Sequence, residues 1–102
     1  MTISEIISDM STFMDADVNN YLVDGNFIVR AAAVQETTLR TQSAMIFREN
    51  LKKLLDDGVI FSFPYTIGEM AAAALNLLGE NNKLTENEEM LKKYFLSLRT
   101  NE

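Results

Sequence analysis

The sequence predicts an all-α domain, a small bundle of roughly three to five helices with a short extended aromatic connector at about residues 59 to 65. Three observations predict it. Apolar residues recur at three- and four-residue steps through most of the chain. Capping boxes, a Thr followed three residues later by a Glu, precede apolar runs at Thr2/Glu5, Thr66/Glu69 and Thr85/Glu88. The single proline, Pro64, follows "VIFSF", where it disfavours helix at Phe63. With 102 residues the chain fits one domain, 1–102, and no repeat, low-complexity tract or linker divides it.

The first helix is expected over about residues 3 to 23. Ile3, Ile6, Ile7, Met10, Phe13, Met14, Val18, Tyr21 and Leu22 keep helical phase from the Thr2/Glu5 box to Gly25, a residue suited to a left-handed stop. Inside this span lies "DADVNN", Asp15 to Asn20, which has the alternating oxygens that open an EF-hand loop. The loop reading fails on two counts. Its sixth and twelfth positions are Asn20 and Asn26 instead of Gly and a bidentate Glu. On a helix, at about 100° per residue, Asp17 points about 160° away from Asn19, so the oxygens diverge and the segment reads as a solvated helix face.

From Phe27 to Asp57 the apolar positions Ile28, Ala31, Ala32, Leu39, Ile46, Phe47, Leu51, Leu54 and Leu55 fit a helical stripe. Between Gln35 and Ser43 only Leu39 is apolar, and Thr37, Thr38 and Thr41 are poor helix formers, so a kink or break is expected near 37 to 42. A rival reading makes "YLVDGNFIV" a hairpin around Asp-Gly, but Tyr21 and Leu22 already belong to the preceding helical pattern. Gly58 closes the segment, and "VIFSFPYT" follows as the connector.

The Thr66/Glu69 box opens "IGEMAAAALNLLG", apolar on nearly every side and stopped by Gly79, which belongs in the middle of a bundle. Its Ala71–Ala74 run is expected to face Ala31–Ala33. The last helix follows Thr85, with Glu86, Glu88 and Glu89 in its first turn and Lys92, Lys93 and Arg99 toward its end, the order the helix dipole favours. Met90, Leu91, Tyr94, Phe95 and Leu98 are its expected buried stripe, and the terminal "TNE" is expected to fray.

Composition narrows the function. The chain contains no histidine and no cysteine, so the commonest general base, the thiol nucleophile and the usual zinc ligands are missing. Carboxylate pairs such as Asp56 with Asp57, or Glu86 with Glu88 and Glu89, fall at helix ends where solvation is expected, and the four glycines are isolated instead of forming a phosphate loop. The expectation is a protein without enzymatic activity, cofactor or metal. A net charge of −6 repels nucleic acid and anionic membranes, which disfavours non-specific binding to either. No membrane span and no secretory signal is read in the sequence, and a cysteine-free chain suits the cytoplasm.

Two features are read as interaction surfaces. Ile3, Ile7, Met10, Met14 and Tyr21 keep a four-three spacing, with Asp17 the polar interruption, which resembles a coiled-coil seam shared between subunits of a homo-oligomer. In "VIFSFPY", Phe61, Phe63 and Tyr65 project to one side of an extended segment and are candidate anchors for a protein partner. The expected function is a non-enzymatic helical interaction module, an adaptor or regulator, acting as a homo-oligomer. Two alternatives are an acidic decoy for a basic nucleic-acid site, using Asp9, Asp15, Asp17, Asp56, Asp57 and Glu86–Glu89, and a small-molecule bundle with a cavity lined by Phe47, Phe61 and Tyr94.

Overall fold

A computed structural model of the chain describes residues 1–100. It is mostly helical, though not a simple bundle. Six α-helices, α1 (Ile3–Asp9), α2 (Asp15–Tyr21), α3 (Phe27–Thr37), α4 (Ala44–Lys53), α5 (Ile67–Leu77) and α6 (Glu86–Thr100), accompany a two-stranded antiparallel sheet, β1 (Ile60–Ser62) with β2 (Tyr65–Thr66). The expected three to five helices are therefore too few, and the connector is a hairpin instead of a lone extended strand. Of the "TNE" terminus, Asn101 and Glu102 lie outside the described residues.

The expected first helix is two. α1 passes through a 3-10 turn at Met10–Thr12, the chain is extended at Phe13 and Met14, and α2 begins afresh at Asp15. The cause is a set of contacts distant in sequence. Arg40 Nη1 donates to Asp15 Oδ1 at 2.9 Å, Ser43 Oγ donates to Asp15 Oδ2, and Arg40 Nη2 donates to the Met10 carbonyl at 3.1 Å. Met10 O is shared between Arg40 and the Phe13 amide, which donates to it at 3.3 Å, whereas a continuous helix would bond it to Met14 N and carry Asp15 away from Arg40. "DADVNN" is helical, and Ala16, Asp17 and Asn20 are exposed as a solvated face requires, but Asp15 is in this ion pair and Asn19 accepts from Asn50 Nδ2 at 3.0 Å.

The expected break near residues 37 to 42 is present. Thr37 and Thr38 are fully buried, and their hydroxyls donate to the Val34 and Gln35 carbonyls, which is how threonine competes with the helix ladder. α3 stops there, and Arg99 of α6 donates through Nε and Nη2 to the free Thr38 carbonyl at 2.9 and 2.6 Å. Arg40 Nε also holds Glu36 at 2.9 Å, so one guanidinium joins α3, α2 and the end of α1.

All three capping boxes form, at Thr2/Glu5, Thr66/Glu69 and Thr85/Glu88. Gly79 has φ +107° and ends α5, whereas Gly25 has no positive φ and makes no left-handed stop. The α2–α3 junction is set instead by Asn26, whose Oδ1 accepts from the Ile28 and Val29 amides, so the rival hairpin there is not formed.

α5 is the central helix: Ile67, Met70, Ala71–Ala74 and Leu75 are buried. α3, α4 and α6 all pack on it, with Ala31 and Ala33 of α3 in the same core as Ala71, Ala73 and Ala74. Phe47, Leu51, Val18, Leu22 and Phe95 complete that core, while Ile28, Ile46 and Leu55, expected in the buried stripe, are exposed.

Candidate functional site

The hairpin is held at its base by backbone bonds that the sequence around Gly68 makes possible. Ile67 N donates to Val59 O at 3.0 Å and Gly68 N donates to Asp57 O at 2.8 Å. A Cβ at Gly68 would lie 2.5 Å from the Leu55 carbonyl oxygen, so only glycine lets the start of α5 approach the end of the α4 segment this closely. Asp57 secures the same corner: its Oδ1 accepts from Val59 N at 3.0 Å and its Oδ2 pairs with Arg30 Nε at 3.1 Å. Glu69 completes the Thr66 cap and also accepts from Asn87 Nδ2 at 3.0 Å, which ties the first turn of α6 to that of α5.

With both neighbours fixed, the hairpin turns at Phe63 and Pro64 and its register is irregular, Ile60 facing Thr66 and Ser62 facing Tyr65, with Phe61 between. The irregularity re-aims Phe61. A groove of about 440 Å³ opens between the hairpin and α6, lined by Phe61, Ser62, Tyr65, Gln35, Met70, Met90, Leu91, Tyr94 and Phe95. Its walls are chiefly apolar, and its volume falls within the range of ligand and side-chain pockets. Phe63, at the tip, is 85% exposed, and Phe61 is 43% exposed.

The structure brings some expected site residues together and separates others. Phe61 and Tyr65 line the groove and Phe63 stands beside it, but the turn removes the single extended face on which all three were expected. The seam is dismantled as a continuous helix. Ile3 and Ile7 are exposed on α1, Met10 is only 4% exposed in the core, Met14 is 77% exposed in the break, and Tyr21 packs against Phe13 with ring centroids 5.4 Å apart. Of the imagined cavity, Phe61 and Tyr94 do share a groove, whereas Phe47 is in the core.

Met90 and Tyr94 were expected in the buried stripe but are 51% and 50% exposed and form the outer wall of the groove. A signal for this was present. The five apolar positions of the last helix span about 140° of its circumference, wider than the strip one neighbouring helix covers. Gln35, on α3, was missed because a lone amide in a polar stretch carries no periodic signal.

The acidic residues are divided. Asp15 is held below the usual carboxylate range by its hydrogen bond from Ser43 and then by Arg40, and Glu80 likewise by Lys52 and then Arg48. Partial burial of Arg40 acts to lower its pKa, but the hydrogen bonds to Glu36 and Asp15 outweigh it and the guanidinium is raised. Asp57, with Oδ2 against Arg30, is in part a buried structural group, contrary to the solvated helix end expected of it. Among the described residues no three carboxylates gather where a metal ion could sit, and no helix is long and apolar enough to cross a membrane. The chain matches no protein-family model, no curated protein and no solved structure.

Proposed function

We propose that this chain is a non-enzymatic interaction module, an adaptor or regulator, that binds a protein partner through the face formed by the hairpin and α6. The observation that carries the reading is Phe63 at 85% exposure beside an aromatic-lined groove, on a hairpin pinned at both ends. A large ring held out in water on a hairpin fixed at its base gains about 25 cal/mol per Å² when a partner covers it. Aromatic anchors of this kind dominate the energetics of protein interfaces. A chain lacking cysteine suits a reducing compartment, and the cytoplasm is the location proposed for it.

The acidic decoy is the weaker reading, because Asp15 and Asp57 are committed to Arg40 and Arg30 inside the fold, and Glu88 caps its own helix. The test compares partner capture by the parent, Phe61→Ala, Phe63→Ala and Met45→Ala, an exposed methionine on α4 that does not line the groove. The aromatic variants should each lose about 2 kcal/mol of binding with little salt dependence, and Met45→Ala should bind normally. Normal binding by both aromatic variants, with affinity falling steeply in salt, would overturn the proposal in favour of the decoy.

A further inference from the structure

The outward stripe of α6 carries a charge pattern that fits a copy of itself. At about 100° per residue, Glu86, Lys93, Tyr94 and Ser97 lie within about 60° of Met90 around the helix. Met90 and Tyr94 form the outer wall of the groove, so the stripe and the groove are one continuous surface. Glu86 and Lys93 are exposed and, among the described residues, take part in no ion pair, unlike Asp15, Glu36, Asp57 and Glu80. They flank Met90, separated by about 10 Å along the axis. An antiparallel pair of such helices, related by a two-fold axis passing close to Met90, sets Glu86 of each copy against Lys93 of the other, twice. A parallel pair would set like charges together. The pattern therefore selects one orientation of a second copy, because a two-fold contact sets the same patch against itself and this patch is self-complementary.

We infer that a second copy of this chain docks on the α6 stripe and the adjoining groove, antiparallel, with reciprocal Glu86–Lys93 pairs around a central Met90 contact. The inference rests on the reading of the hairpin–α6 face as an interaction surface. A standard interface of about 800 Å² per partner would take roughly one-seventh of the 5935 Å² surface, and the half-exposed Met90, Tyr94 and Phe61 with the exposed Phe63 supply its apolar centre. Each copy carries a charge of −6, so the copies repel at long range and the two local pairs set register instead of supplying most of the affinity.

The experiment is sedimentation of the parent, Glu86→Lys, Lys93→Glu and the double exchange, at concentrations up to the high micromolar, with helicity checked by circular dichroism. The parent should dimerise. Each single variant should dissociate at least roughly tenfold more readily, because both pairs become repulsive. The double exchange should dimerise again, and an equimolar mixture of the two single variants should form a heterodimer that neither forms alone. A parent dimer indifferent to all three changes but lost in Phe63→Ala would overturn the α6 contact while keeping the hairpin as an interaction surface. A monomeric parent would overturn self-association, and only insensitivity of partner capture to Phe63→Ala would then overturn the broader reading as well.

Discussion

Replacing Gly68 by alanine sets helix propensity against a backbone collision, and the structure decides the sign. Alanine in place of glycine favours a helix by at most about 1 kcal/mol. Here the added Cβ would lie 2.5 Å from Leu55 O, 3.0 Å from Asp57 O and 3.2 Å from Leu54 O. All three are main-chain atoms that cannot swing aside, so relief requires the start of α5 to retreat. That movement stretches the 2.8 Å bond from Gly68 N to Asp57 O and the 3.0 Å bond from Ile67 N to Val59 O. Overpacking costs about 1–3 kcal/mol and weakening the two hydrogen bonds about 1 kcal/mol more, so after the propensity gain the net loss is about 2 kcal/mol. For a chain of this length that lowers Tm by roughly 8–16 °C. Thermal melting followed by circular dichroism reads it, with Gly25→Ala as the control. Gly25 has no positive φ, and a Cβ there meets nothing within 4 Å, so its variant should match or slightly exceed the parent. A Gly68→Ala protein that melts at or above the parent would refute the close-approach argument, and with it the account of how the hairpin is held.

Arg40→Met should cost about 2–3 kcal/mol in chemical denaturation, since it removes one of the two donors to the Met10 carbonyl and leaves Asp15 and Glu36 without their cation. A loss under about 0.5 kcal/mol would mean the network is ornamental. Asp15 and Glu80 are depressed in the fold, so their stabilisation is present above the ordinary carboxylate pKa and disappears as pH falls through the folded values. Tm should therefore drop below about pH 4, with a shallower drop in Asp15→Asn. The same substitution should be indifferent to calcium or chelator, because Asp15 points to Arg40 and Ser43. Met10→Glu, which a surface seam would tolerate as a folded monomer, should instead unfold the protein, since Met10 is in the core.

What the sequence made legible was local. Thr2/Glu5, Thr66/Glu69 and Thr85/Glu88 close hydrogen bonds over three residues, and Thr37 and Thr38 terminate α3 through their own hydroxyls. What stayed hidden depends on partners far along the chain. Apolar phase runs unbroken through Phe13 and Met14, and the helix breaks there because Arg40 claims Asp15 and Met10 O. Likewise, the composition of "VIFSFPYT" shows aromatic residues around a proline, but the groove exists because Gly68 and Asp57 fold that segment back beside α6. Sequence singles out Phe61 and Phe63 as candidate anchors and both rings are exposed, whereas it assigns Met90 and Tyr94 to the interior because periodicity records a stripe without recording how many neighbours cover it.

The central claim, that the hairpin and the outer stripe of α6 are the surface through which this protein binds, is tested most directly by backbone amide NMR across a dilution series from near-millimolar to low-micromolar protein. The amides of residues 60–63, 65 and 86–97 should shift together with concentration, and the Glu86→Lys variant should show those shifts only at higher concentration. Shifts confined to residues 3–14, or a spectrum unchanged by dilution together with partner-induced shifts outside both segments, would contradict it.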